Sequence, residues 1–148
     1  MLLTSAEIAD YLPHQGPMIL VDHIIKADEH SLVGMINNHQ DPSHPLRIRG
    51  YLPAISAIEM AAQCSAIHGA LSASPAFSGP RRGVLALIKN ISWTRPKLDD
   101  IEKPLEIDLL RLHHDPHQAL YQFKLSADDD LLVSGQLAVF FKGTEASS

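Results

Sequence analysis

Two residues stand in settings suited to acid/base chemistry. Glu59 lies in GYLPAISAIEMAAQCSAIHGAL, residues 50–71, and is the only Asp, Glu, Lys or Arg between Arg49 and Arg81. A buried carboxylate is costly unless it is paired, reaches water or holds a proton. His14 lies in LPHQGPMILVD, between Pro13 and Pro17, whose rings restrict the local backbone and hold the imidazole at the mouth of an apolar run. Imidazole titrates near neutrality and a desolvated carboxyl moves toward it, so the two suit a base and an acid. Position alone is a weak signal, because the chain has nine histidines. Two structural readings of Glu59 also stay open. The helix could turn it to solvent, or Ser56 or Gln63, one turn away, could hydrogen-bond it.

The other reactive residue types read more plainly. His113, His114 and His117 fall in HHDPH, a turn between strand-like runs, where histidines are solvated more often than metal-bound. Cys64 is a small apolar residue on a buried segment rather than a nucleophile. His68 lies off the Glu59 face and reads as a packed helix residue. Trp93 reads as core or interface. No metal is expected.

The elements that must position these side chains follow from local signals. Thr4 and Glu7 have capping-box spacing, with Leu3 and Ile8 placed as a hydrophobic staple, which predicts a short helix over about 5–11 that stops at Pro13. MILVDHIIKA and SLVGMINNH read as a strand pair joined by DEH. Pro53 suits a helix start, and a helix is predicted over 54–71. It is small and apolar on every side, which predicts that protein surrounds it. Four strands follow: GVLALIKNISWT, PLEIDLLRL, ALYQFKLSA and LLVSGQLAVFF, with turns at RPKLDD, HHDPHQ and DDD. A sheet wrapped around one central helix satisfies this order, so the fold class is α+β.

Composition bounds the rest. The chain has 148 residues, 45% hydrophobic and 20% charged, which fits one globular domain over 1–148 with a polar tail at about 143–148. No apolar run reaches the roughly 18 residues of a membrane span, and the first residues lack a basic leader. A single cysteine suits a reducing compartment, so a cytoplasmic protein is expected, without a membrane partner. The formal charge of -5 hides an asymmetry: seven basic residues fall from Arg47 to Lys97 against one acid, Glu59. Scattered solvated charge is one reading, and a basic face for an acidic or phosphate-bearing partner is the sharper one. Overall negative charge and few aromatics argue against nucleic acid.

LPHQGPMILVD resembles the Leu-Pro-His-x-x-Pro-Phe-Leu-Leu-Val-Asp signature of the β-hydroxyacyl-acyl carrier protein dehydratases. LPAISAIEMAAQ resembles the start of that family's central helix, with Glu59 at its Glu and Gln63 at its Gln. The resemblance covers about residues 10–70, and the later strands agree in pattern. It implies a hotdog fold, a curved antiparallel sheet around a long helix, in a dimer with the active site at the interface. His14 of one subunit would face Glu59 of the other. Pro53, Ala54, Ile55 and Gln63 would bind substrate, the Ala54 N–H holding the thioester oxygen. The reaction implied is dehydration of a β-hydroxyacyl thioester to the trans-2-enoyl thioester, in fatty acid or polyene-like assembly. The substrate rides on the phosphopantetheine arm of an acyl carrier protein, and no cofactor is needed. Arg47, Arg49, Arg81 and Arg82 flank the helix segment and would dock the acidic carrier.

Two departures separate this chain from the resemblance. HPLRIRG replaces a Gly-His-Phe-Pro-Gly-like loop, and Ala54 replaces a glycine. Two other functions stay in view: a hotdog thioesterase, which would use a helix carboxylate on the same thioester, and a non-catalytic subunit paired with an active paralogue, which the two departures keep open. The partner is a second copy or that paralogue, and higher oligomers stay open.

Overall fold

The computed structural model describes residues 2–12, 16–71 and 82–142. The chain begins with α1 (Ser5–Ile8), continued by a 3-10 turn at Ala9–Tyr11. The capping box is present. The Thr4 N–H donates to Glu7 Oε1 at 2.9 Å and the Glu7 N–H to Thr4 Oγ1 at 3.3 Å. Leu3 and Ile8 are both buried in the core.

The strands are β1 (His23–Ala27), β2 (Ser31–Ile36), β3 (Arg82–Trp93), β4 (Leu105–His114), β5 (Gln118–Ala127) and β6 (Asp130–Lys142). They form one antiparallel sheet in the order β1-β2-β4-β5-β6-β3. Between β2 and β3 the chain runs through a 3-10 turn, Ala54–Ser56, into α2 (Ala57–Leu71). This is the hotdog arrangement.

Strand alternation builds the core. Along β4, Leu105, Ile107 and Leu109 are buried, while Glu106, Asp108 and Leu110 are more exposed. Tyr121, Phe123 and Leu125 of β5 and Val133, Leu137 and Val139 of β6 face the same way. They meet Ile58, Met60, Ala61, Cys64 and Ile67 of α2. Gly34 of β2 lets the helix approach: a Cβ there would sit 3.4 Å from Cys64 Sγ and 3.3 Å from side-chain atoms of Ile24 and Ile107.

Two expectations need correction. MILVDHIIKA is not one strand. Gly16–Met18 forms a 3-10 turn, and β1 starts only at His23. The cause is a side chain, since the Leu20 N–H is taken by Gln63 rather than by a neighbouring strand. Nor is α2 surrounded within one chain. Ile55 and Glu59 are exposed, and Ala62, Ala66 and Ala70 partly so. These positions follow helical spacing, so one stripe of small residues is open.

Candidate active site

The start of the α2 segment is held from two sides. Asp99 accepts the Leu52 N–H through Oδ1 at 2.9 Å, and its Oδ2 lies 3.4 Å from both Arg47 Nη1 and Nη2. The Leu98 N–H donates to Leu52 O, and the Ala54 N–H to Pro96 O, each at 2.9 Å. Burial pushes the Asp99 carboxyl upward. The N–H groups of Leu52 and of Asp99 itself, with the charges of Arg47 and Lys97, outweigh it and hold the group below the usual carboxylate range.

These bonds change what the helix start can offer. The Ala54 side chain is buried and its N–H is spent on Pro96, so it is not the free donor that the sequence suggested. Pro53 is half-buried, in extended conformation, and bridges to Lys97. The next amide belongs to Ile55, whose side chain is 53% exposed. The Ser56 N–H already reaches Pro53 O. Ile55 is therefore the residue of this turn that faces outward with its N–H uncommitted among the described residues.

Glu59 stands one turn beyond Ile55 on the same open stripe and is exposed in the single chain. The reading in which the helix turns it to solvent describes the protomer. Hydrogen bonding to Gln63 does not, because Gln63 is engaged elsewhere. Its Oε1 accepts the Leu20 N–H at 2.8 Å and its Nε2 donates to Met18 O at 2.7 Å. Gln63 is only 4% exposed, so both ends of its amide are satisfied inside the protein. Sequence reasoning missed this role, although a buried glutamine on an apolar helix was a sign that it had a partner to find. His14 lies outside the described residues, as does Arg81.

The four docking arginines separate. Arg47 faces Asp99 and its side chain is 17% exposed, which removes most of it from any outer rim. Arg49 is exposed at φ 53°, beside Gly50 at φ 86°, in a tight turn closed by paired bonds between Ile48 and Tyr51. Arg82 pairs with Lys142 in the β3–β6 ladder. Lys97, not singled out from the sequence, is exposed beside Pro53.

Other reactive groups are structural. Cys64 is fully buried, and burial pushes its thiol far above the ordinary range, which makes it inert as a nucleophile. His68 Nε2 lies 2.7 Å from Asp28 O, so that nitrogen donates, and Nδ1 accepts from Tyr121 Oη at 2.8 Å. Burial moves the His68 pKa down and pushes the Tyr121 hydroxyl up to about 12. His113, His114 and His117 are exposed around the β4–β5 turn. Among the described residues, no group of three His, Cys, Asp or Glu is placed to hold a metal. Nor is any helix among them long and apolar enough to cross a membrane. Trp93 is half exposed on β3, an edge strand.

His44, in the loop ahead of α2, gives that loop a pH dependence. Its Nδ1 accepts the Leu46 N–H at 3.1 Å, and the ring is 5% exposed. Burial holds its pKa below the ordinary value, aided by Arg47 and His39 and opposed by Asp41. The folded state thus binds fewer protons than the unfolded state at acid pH. Its contribution is intact above the unfolded pKa of 6.5 and is lost as pH falls from there toward the folded pKa. His68 acts with the same sign. Urea unfolding at roughly pH 7.5 and pH 5.5 should show lower stability at the acid value, and less loss in His44→Asn, whose Oδ1 accepts the same N–H without titrating. Equal acid loss in wild type and variant would show that His44 contributes nothing.

With this geometry in place, relatives can be compared. The model of the ApeP-like family, ApeP dehydratase, matches residues 6–147. The chain belongs to that dehydratase family. The 3-hydroxyacyl-[acyl-carrier-protein] dehydratase FabZ of Desulforamulus reducens is 31% identical over 115 residues, 75% of this chain and 79% of the relative. FabZ of Rickettsia massiliae is 33% identical over 72 residues, 45% of this chain and 49% of that protein. Among solved structures, a chain of the dehydratase heterocomplex ApeI:P from Xenorhabdus doucetiae superposes with a TM-score of 0.77 at 23% identity, over 93% of this chain and 91% of that one. Thioesterase HI1161 from Haemophilus influenzae superposes at 0.69 with 13% identity, each chain covered in full. At these identities the structural likeness shows a shared fold, and it extends to thioesterases as well as dehydratases.

Proposed function

We propose that this ApeP-like protein removes water from a β-hydroxyacyl thioester carried on acyl carrier protein, giving the trans-2-enoyl thioester. The observation that carries the reading is Glu59, a carboxylate standing on an otherwise Ile and Ala helix stripe one turn beyond an outward-facing Ile55. That stripe is left open by its own chain, which suits a surface completed by a partner subunit. β3, an edge strand of the sheet, exposes Leu87, Ile88 and Trp93, apolar groups that a second subunit would also cover.

In the assembled site the thioester oxygen accepts the Ile55 N–H at the positive end of the helix, which stabilises enolate-like charge. His14 of the facing subunit removes the α-proton. Glu59 gives its proton to the β-hydroxyl, and the C–O bond breaks as the Cα–Cβ double bond forms. Water leaves and the thioester stays intact. Arg49, Arg81 and Arg82 steer the acidic carrier, an effect that appears in association and fades with salt.

The partner is a second copy or a related dehydratase subunit. The likeness to a chain of a dehydratase heterocomplex supports the second arrangement. Incubation with a β-hydroxyacyl carrier-protein thioester, followed by mass measurement, tests the reaction. Loss of one water supports it. Release of free acid would mark a thioesterase, and no change by the protein alone a subunit that needs its paralogue. Arg49→Glu should raise KM for the carrier-bound substrate and spare a short pantetheine analogue. Equal loss on both would remove the docking role.

A further inference from the structure

We infer that Gln63 is a positioning residue, setting the chain that leaves the Leu-Pro-His motif in register with Glu59. This rests on the dehydratase reading and adds to it a part that touches no substrate. The motif continues as Gly16-Pro17-Met18-Ile19-Leu20, and this stretch belongs to no strand. A free N–H and a free carbonyl there would leave the backbone without a fixed depth or slide along α2. Gln63 supplies one acceptor and one donor on a single planar amide, bonded to Leu20 N–H at 2.8 Å and Met18 O at 2.7 Å. The two bonds bracket Ile19 and act as a clamp, fixing both distance and direction. Gln63 lies one turn after Glu59 on the same helix, so the clamp measures position against the element that carries the acid.

No other natural side chain of this length presents a donor and an acceptor together without first taking up a proton. Asparagine is shorter by a methylene, and methionine fills the volume with neither group. Glutamate matches the shape, but as a carboxylate it sets an acceptor against the Met18 carbonyl. Protonated, it donates to Met18 O and accepts from Leu20 N–H, rebuilding the clamp.

The experiment compares wild type, Gln63→Met and Gln63→Glu on a β-hydroxyacyl pantetheine thioester. Gln63→Met should lower kcat by about a hundredfold, the scale of a misplacement near 1 Å, with KM within about threefold. The ratio of Gln63→Glu to wild-type kcat should rise at least about tenfold from roughly pH 8 to pH 5.5 as the buried carboxyl takes a proton. The Gln63→Met ratio should stay flat. A Gln63→Met enzyme with wild-type kcat overturns the inference, and so does a raised KM with kcat retained, which would make Gln63 a substrate ligand. Absence of acid rescue in Gln63→Glu counts against it as well, even if Gln63→Met fails to fold. A wild type that dehydrates nothing sinks the functional reading instead. Exchange of the Leu20 amide then reads the clamp directly: faster in Gln63→Met supports it, and unchanged overturns it.

Discussion

His14→Ala and Glu59→Gln should each lower dehydration by at least about a hundredfold, the range for loss of an acid or base group, while thermal unfolding stays cooperative. The expectation follows from division of labour. With the imidazole gone, nothing takes the α-proton; with the carboxyl replaced by an amide, the hydroxide has no proton to leave with. Glu59 stands exposed, and replacing its carboxyl by an amide strands no buried partner among the described residues, so the fold should tolerate the change. The sharper result is complementation. If His14 of one subunit serves Glu59 of the other, a mixed dimer of the two inactive variants holds one intact site and one doubly defective site. Mixed and allowed to exchange, the pair should regain a substantial fraction of activity. Subunit exchange without recovery would place both residues in the same protomer or outside the reaction.

Ala66→Arg should convert the assembled protein to monomer and abolish turnover. Ala62, Ala66 and Ala70 share the open stripe with Glu59, and small side chains there let another surface approach closely. An arginine at the middle of that stripe places a long cation where a partner would pack, with no acid on the stripe nearer than Glu59. Burying an uncompensated charge costs several kcal/mol, enough to dissociate an ordinary dimer. Sedimentation would read the mass, and the carrier-thioester assay the activity. Alanine is already partly exposed in the protomer, so the monomer should remain folded. A variant that stays associated and active would show that assembly uses another face and that the site is complete in one chain.

Much of this was legible in the residue order. The capping box at Thr4 and Glu7, the helix beginning after Pro53, and the four late strands with their turns are each written within a few neighbouring residues. Caps, periodicity and turn residues act over that same range, which is why they could be read locally. Glu59 also stood out in the sequence, because a lone carboxylate on an apolar helix asks for a reason, and the structure places it exposed on the open stripe. What could not be read is where each polar group spends its hydrogen bonds. Gln63 reaches back 43 and 45 residues to Leu20 and Met18, and Arg47 forward 52 residues to Asp99. The Ala54 N–H is taken by Pro96, which moves the outward-facing amide to Ile55. Strand order is the same kind of fact: β3 closes the far edge beside β6 rather than joining β2 or β4, its sequence neighbours among the strands. Each of these depends on which distant segment packing brings within about 3 Å, the reach of a hydrogen bond. Composition shows that a donor exists, but only the folded chain chooses its acceptor.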